Sequence, residues 1–240
     1  MNIGVIFAGG VGSRMKSKGK PKQFLEVHGK PIIIHTLEVF ENNHEVDATV
    51  VVCVADWIEY LQKAIEKFNL KKVKAVVPGG ETGQLSIFNG LEAAEKISLS
   101  GEDVVLIHDG VRPLITEELL SDNIRTVLEK GSAITSVAAK ETVVLINEKD
   151  EIEEVVDRTR SFIAKAPQSF FLKDILSVQR DAISKGITNA IDSSTLMGMY
   201  DKKLTIVEGP YENIKITTPD DFYTFKALFD AKENAQIYGF

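Results

Sequence analysis

Short, nearly unbroken apolar runs alternate along the chain with longer segments in which apolar residues recur every three or four positions. Residues 3–8 (IGVIFA), 48–55 (ATVVVCVA), 73–78 (VKAVVP), 103–109 (DVVLIHD) and 133–139 (AITSVAA) form the first class. They are rich in valine and isoleucine without polar alternation, which predicts parallel strands covered on both faces. Residues 31–42, 56–68, 85–97 and 116–130 form the second class and predict amphipathic helices. Thr116 ahead of Glu117 and Glu118 marks a helix start, and Gly131 after Lys130 marks its end. The alternation implies an α/β domain, a doubly wound and mostly parallel sheet with right-handed crossovers.

The pattern breaks after Ala139. Residues 140–170 read as two extended segments around the polar turn NEKDE, so 140–160 is expected to project from the body as a hairpin arm. Val143, Val144, Leu145, Ile152, Val155 and Val156 on that arm need a partner surface, because an isolated two-stranded arm is marginal in water. A homodimer through the arm is the expectation. Helical patterns resume at 171–185 and 192–200, and residues 203–209 (KLTIVEG) read as a last strand before a closing helix. Residues 1–240 are expected to form one domain.

Composition changes this picture only locally. The chain of 240 residues carries a formal net charge of -7, which argues against a general affinity for nucleic acid or acidic membranes. No apolar stretch approaches the roughly 20 residues that span a bilayer. The one cysteine, Cys53, lies in an apolar run and reads as a buried thiol, which excludes an intramolecular disulfide framework and suits the cytoplasm.

Against that acidic background, Arg14, Lys16, Lys18, Lys20 and Lys22 follow the first strand within a few residues of Gly9, Gly10 and Gly12. Ligands of open α/β sheets bind beyond the carboxyl ends of the strands, and glycines there let the backbone approach phosphate. The glycines alone suit equally a tight turn with a solvated lysine run. The spacing fits neither a dinucleotide fingerprint nor a P-loop. Several cations on a long loop suit a triphosphate, with Lys22 after Pro21 the best fixed contact. Asp109 ends a buried strand at the same edge, where a carboxylate can hold Mg²⁺ bridging phosphates, and Arg112 follows three residues later. His108 faces away from Asp109 by strand alternation and reads as structural. The other histidines are scattered without partners at ligand spacing, so zinc is not expected.

FAGGVGSRM, PKQFLEVHGKPIIIHTLEVF, GGETGQLSIFNGL, HDGVRP, APQSF and NIKITTPDDF occur in order from Ile3 to about Phe225. Together they resemble the cytidylyltransferases that act on methylerythritol phosphate and ribitol phosphate, with the ribitol-phosphate branch nearer. The resemblance implies a Rossmann-like nucleotidyltransferase domain with a protruding arm that embraces a second subunit, CTP as substrate and Mg²⁺ as cofactor. By the same resemblance, Arg14 and Lys22 bind the triphosphate, Ala8, Gly9 and Gly10 line the nucleotide, and Gly80 and Ser86 lie near the cytosine. Asp109 and Arg112 form the pair at the reaction centre, and Lys215 is the late catalytic lysine. Thr142 and Arg158 would reach the polyol phosphate across the dimer, and Asp192 matches a further acceptor segment. Gly83, Glu141 and Ala166 depart from the pattern, where relatives carry arginine, aspartate and threonine. The expected activity is CMP transfer to a small alditol phosphate, ribitol 5-phosphate or a glycerol phosphate. Methylerythritol phosphate as acceptor, or a nucleotide-binding regulator without catalysis, are the alternatives.

Overall fold

The computed structural model describes residues 1–9, 19–100 and 102–238. In chain order the elements are β1 (Asn2–Ala8), β2 (Glu26–Val27), β3 (Lys30–Pro31), α1 (Ile32–Asn42), β4 (Ala48–Cys53) and α2 (Ile58–Lys67). They continue with β5 (Val73–Pro78), α3 (Gly83–Ile97), β6 (Val104–Asp109), α4 (Glu117–Lys130), β7 (Ser132–Ala138), β8 (Val144–Ile146) and β9 (Ile152–Val155). Last come β10 (Phe162–Phe171), α5 (Leu172–Ser184), α6 (Ser193–Met199), β11 (Ile206–Glu208) and α7 (Pro219–Tyr238).

A seven-stranded sheet runs in the order β11-β7-β10-β6-β1-β4-β5. Its pairings are parallel except those of β10, which lies antiparallel between β6 and β7. The unbroken apolar runs are explained by cover on both faces. Val104 and Leu106 of β6 join Ile6, Val51 and the helix residues Leu37, Leu120 and Ile124 on one side. Val105 and Ile107 join Val5, Leu91, Ile175 and Leu196 on the other. The expected helix boundaries of α4 hold. Thr116 accepts a hydrogen bond from the Leu119 N–H, and Gly131 closes the helix at φ 85°, a left-handed conformation that glycine adopts without a Cβ penalty.

The region after Ala139 differs from the expectation in one respect. Only β8 and β9 form the projecting hairpin, while β10 returns to the main sheet without a helical crossover. An antiparallel neighbour needs no crossover, so helix periodicity gave no sign of it. The hairpin itself is exposed on apolar side chains, Ile152 at 64% and Val155 at 61%. The expected last strand shortens to three residues, Ile206–Glu208, beside β7. Cys53 is buried and free, and burial raises its thiol pKa to about 11.

Candidate active site

The sheet order reverses at β1, which has β4 on one side and β6 on the other. The crevice at the carboxyl ends of β1 and β6 is the place where ligands of such sheets bind. Phe7 and Asp109 are register partners there, and the Gly110 N–H donates to the Phe7 carbonyl at 3.0 Å.

Asp109 is 5% exposed and is gripped from two directions. Arg112 Nε donates to Oδ2 at 2.8 Å, and Lys215 Nζ lies 2.6 Å from Oδ1. Burial, the largest single influence on this carboxyl, acts to raise its pKa, but Lys215 and Arg112 together hold it below the usual range. The guanidinium is itself aimed by Asn213, whose carbonyl accepts from Arg112 Nη1 at 2.9 Å. Asn213 is fully buried and donates to the Ala166 carbonyl at 2.7 Å, tying the late loop to β10. His108 is buried on the opposite face against Phe40, as alternation requires, and its Nε2 lies 3.2 Å from the Arg112 carbonyl. Burial lowers its pKa to about 4, so it is neutral near pH 7. It supports the backbone of the pair rather than meeting a ligand.

Beside β1, Gly9 and Gly80 converge on Ser86 at the start of α3. The Gly80 N–H donates to Ser86 Oγ at 3.1 Å, and Ser86 Oγ donates to the Thr82 carbonyl at 2.9 Å. A Cβ on Gly9 would lie 3.2 Å from the same hydroxyl, and one on Gly80 only 2.6 Å from Leu85, so the backbone turns pack too closely for a side chain. Ala8 is anchored through its carbonyl, which accepts from buried Gln23 Nε2 at 2.6 Å. Lys22 opens a short 3-10 turn, Lys22–Phe24, whose Phe24 ring stacks on Trp57 at 4.8 Å. The two chain ends that flank residues 10–18 are thereby tied together beside the crevice. Gly10, Gly12 and Arg14 lie outside the described residues.

Between the crevice and β10 is a cavity of about 290 Å³. Asp109, Arg112, Lys215 and Asp192 share its wall with Gly83, Lys165, Ala166, Gln168 and Ser193. Asp192 caps α6, accepting from the Thr195 N–H at 2.7 Å through Oδ1, and takes Gln168 Nε2 at 2.9 Å on Oδ2. Thr142 and Arg158 are exposed near the arm and are not part of this wall. The sequence reading missed Lys165, Gln168 and Asn213. Two of these lie in or beside APQSF and the third in NIKITTPDDF, so the motifs were visible while the side-chain roles required the antiparallel strand β10.

The family model for 2-C-methyl-D-erythritol 4-phosphate cytidylyltransferase matches residues 3–230. The chain is 74% identical over 239 residues to a ribitol-5-phosphate cytidylyltransferase of Streptococcus agalactiae serotype III, covering 100% of both chains. It is 55% identical over 239 residues to a ribitol-5-phosphate cytidylyltransferase of Vibrio parahaemolyticus, again covering 100% of both. Among solved structures, the 4-diphosphocytidyl-2C-methyl-D-erythritol synthase of Anaerococcus prevotii superposes with a TM-score of 0.82 at 29% identity, covering 95% of this chain and 96% of that one. A reversed-order sheet, a gripped aspartate at its crevice and full-length similarity agree: the chain belongs to the 2-C-methyl-D-erythritol 4-phosphate cytidylyltransferase family.

Proposed function

We propose that this protein transfers CMP from CTP to ribitol 5-phosphate, giving CDP-ribitol and pyrophosphate. The observation that carries the chemistry is Asp109, buried at the crevice and held by Arg112 and Lys215 beside a 290 Å³ cavity. The full-length likeness to two relatives named for ribitol 5-phosphate supports that acceptor.

Ala8, Gly9, Gly80 and Ser86 line the nucleotide, while Lys22 and Arg14 meet its triphosphate. An acceptor phosphate oxygen forms a bond to the α-phosphorus of CTP. The bond from that phosphorus to the α,β-bridging oxygen breaks, and the electron pair leaves with pyrophosphate. The acceptor phosphate is already an anion at neutral pH, so the step needs no general base. Its difficulty is the negative charge gathered at one centre, which positioning and cations relieve. Arg112 and Lys215 supply fixed positive charge, and Lys215, 43% exposed, can reach a phosphate while remaining near Asp109.

The donor set fits a hard cation. A carboxylate keeps lone pairs beyond those used by two donors, and Mg²⁺ needs one or two carboxylates when substrate phosphates complete its shell. Asp109 would hold Mg²⁺, which supplies neutralisation of phosphate charge. The exposed arm, with Thr142 and Arg158 close by, would embrace a second subunit and complete the acceptor side there. CTP and a phosphorylated alditol as substrates suit a cytoplasmic enzyme, and no described helix is long and apolar enough to cross a membrane.

Mass spectrometry of a reaction containing CTP, Mg²⁺ and ribitol 5-phosphate tests the proposal. CDP-ribitol and pyrophosphate should appear in equal amounts. CTP binding without any product, with every alditol phosphate tried, would instead leave a nucleotide-binding regulator.

A further inference from the structure

The cavity beside Asp109 holds a third cation with no role in the arrangement so far. Lys165 lies on β10 where the pairing with β7 shifts register between Ala164 and Gln168. Continuing the pairing of Gln168 with Ile107 brings Ala166 opposite Asp109, so the irregular segment faces the reaction centre. Lys165 Nζ donates to the Tyr211 carbonyl at 2.9 Å and reaches the Pro210 carbonyl at 3.5 Å. Among the described residues no carboxylate forms an ion pair with it. Arg112 and Lys215, by contrast, both form ion pairs with Asp109. A half-buried ammonium whose hydrogen bonds go only to neutral carbonyls, with Glu212 acting on it without an ion pair and Arg112 near, can take an anion. Burial, the largest influence, and the charges of Arg112 and Lys140 lower its pKa, while Glu212 acts to raise it.

The same lining carries a second unmet group. Ser193 is 2% exposed and lines the cavity, yet its Oγ has no hydrogen-bond partner among the described residues. Buried hydroxyls are normally paired, and one left over in a cavity wall calls for a polar group from outside the chain. In the same lining, Gly83 leaves room. A Cβ at Gly83 would meet nothing within 4 Å. The lining therefore holds one cation at β10, one buried unpaired hydroxyl at α6, and open space at Gly83.

We propose that Lys165 and Ser193 form the acceptor subsite, Lys165 binding the phosphate that attacks CTP and Ser193 pairing with a hydroxyl of the alditol chain. The inference rests on the reading of the acceptor as an alditol phosphate. Lys165 brings that phosphate alongside Arg112, at the edge where the α-phosphorus of CTP lies, and Ser193 reads the chain behind it. A site built to hydrogen-bond a hydroxyl discriminates against analogues that lack it.

Steady-state kinetics of wild type, Lys165→Met, Lys165→Arg, Ser193→Ala and their thermal melting temperatures test this. Wild type is first assayed with CTP and ribitol 5-phosphate, methylerythritol phosphate and glycerol 3-phosphate, so that a wrong acceptor is recognised before any variant is read. With the best acceptor of that panel, Lys165→Met should raise the acceptor KM at least tenfold and leave the CTP KM within twofold. Lys165→Arg should restore most of the acceptor affinity. Ser193→Ala should lower kcat/KM for ribitol 5-phosphate several-fold more than for glycerol 3-phosphate. If Lys165→Met weakens CTP and acceptor equally, or lowers the melting temperature strongly without rescue by arginine, the lysine only anchors the loop at Tyr211 and the proposal fails. An unchanged acceptor KM in both Lys165→Met and Ser193→Ala overturns it outright.

Discussion

Lys215→Met should separate catalysis from stability. In the fold, Lys215 supplies one of two cationic contacts to a carboxylate that is 5% exposed, and Arg112 supplies the other. Removing one partner of a fully buried pair costs about 3–5 kcal/mol, but exposed pairs contribute roughly 0–1 kcal/mol. The lysine side chain is 43% exposed and Arg112 remains, so the cost should be about 1–2 kcal/mol. For a chain of 240 residues, an unfolding entropy of about 2.1 cal/mol/K per residue makes that roughly 3 °C in melting temperature. The pH dependence has a definite sign. A depressed carboxyl stabilises the fold fully above its unfolded pKa of about 3.9 and loses that contribution as pH falls through the folded value. Burial opposes the depression and Lys215 leads the influences that produce it, so acid unfolding of the variant should begin at higher pH. The catalytic cost should be larger, on the order of a hundredfold in kcat, because the contact to a phosphate is charge-assisted and acts in the transition state. Urea unfolding at pH 7 and pH 4, with initial rates of pyrophosphate release, measures both. A variant with near-normal kcat, or one that is unfolded at pH 7, would refute the division of labour assigned to Lys215.

Three further outcomes follow from the same geometry. Stability should fall between pH 6.5 and 4, because burial keeps His108 neutral with its pKa lowered to about 4 while the unfolded chain takes up the proton. That contribution is on the order of 3 kcal/mol, and His108→Leu should flatten the denaturation midpoint over this window. Ile152→Glu combined with Val155→Glu should convert a dimer to a monomer by sedimentation velocity and reduce activity, whereas a wild-type monomer with full activity would remove the arm from the account. Gly83→Arg should fold normally, since space is open at its Cβ, but raise the acceptor KM by filling the cavity wall; an unchanged acceptor KM would place Gly83 away from the substrate.

The parallel part of the sheet could be read along the chain because each strand is buried on both faces and each helix carries an apolar stripe. Thr116 and Gly131 gave the limits of α4 for reasons local to the backbone. β10 could not be read this way. Its pairing is set by contacts with β6 and β7 that are distant in sequence, and its segment 162–171 follows an arm of similar extended character. The aspartate at the end of β6 stood out as a charge ending an apolar run, and Arg112 followed within one turn. Lys215 came only from resemblance, because a lysine more than a hundred residues away carries no local sign that it will meet Asp109. Lys165 and Ser193 were invisible for the same reason. What marks them, a cation without an ion pair among the described residues and a hydroxyl without a partner there, exists only in the folded chain.

Specificity constants decide whether this crevice passes CMP to an alditol phosphate. Pyrophosphate release would be followed with CTP, Mg²⁺ and, side by side, ribitol 5-phosphate, glycerol 3-phosphate and methylerythritol phosphate. The value of kcat/KM for ribitol 5-phosphate should exceed that for methylerythritol phosphate at least tenfold. A preference for methylerythritol phosphate by more than tenfold would rule out ribitol 5-phosphate as the natural acceptor.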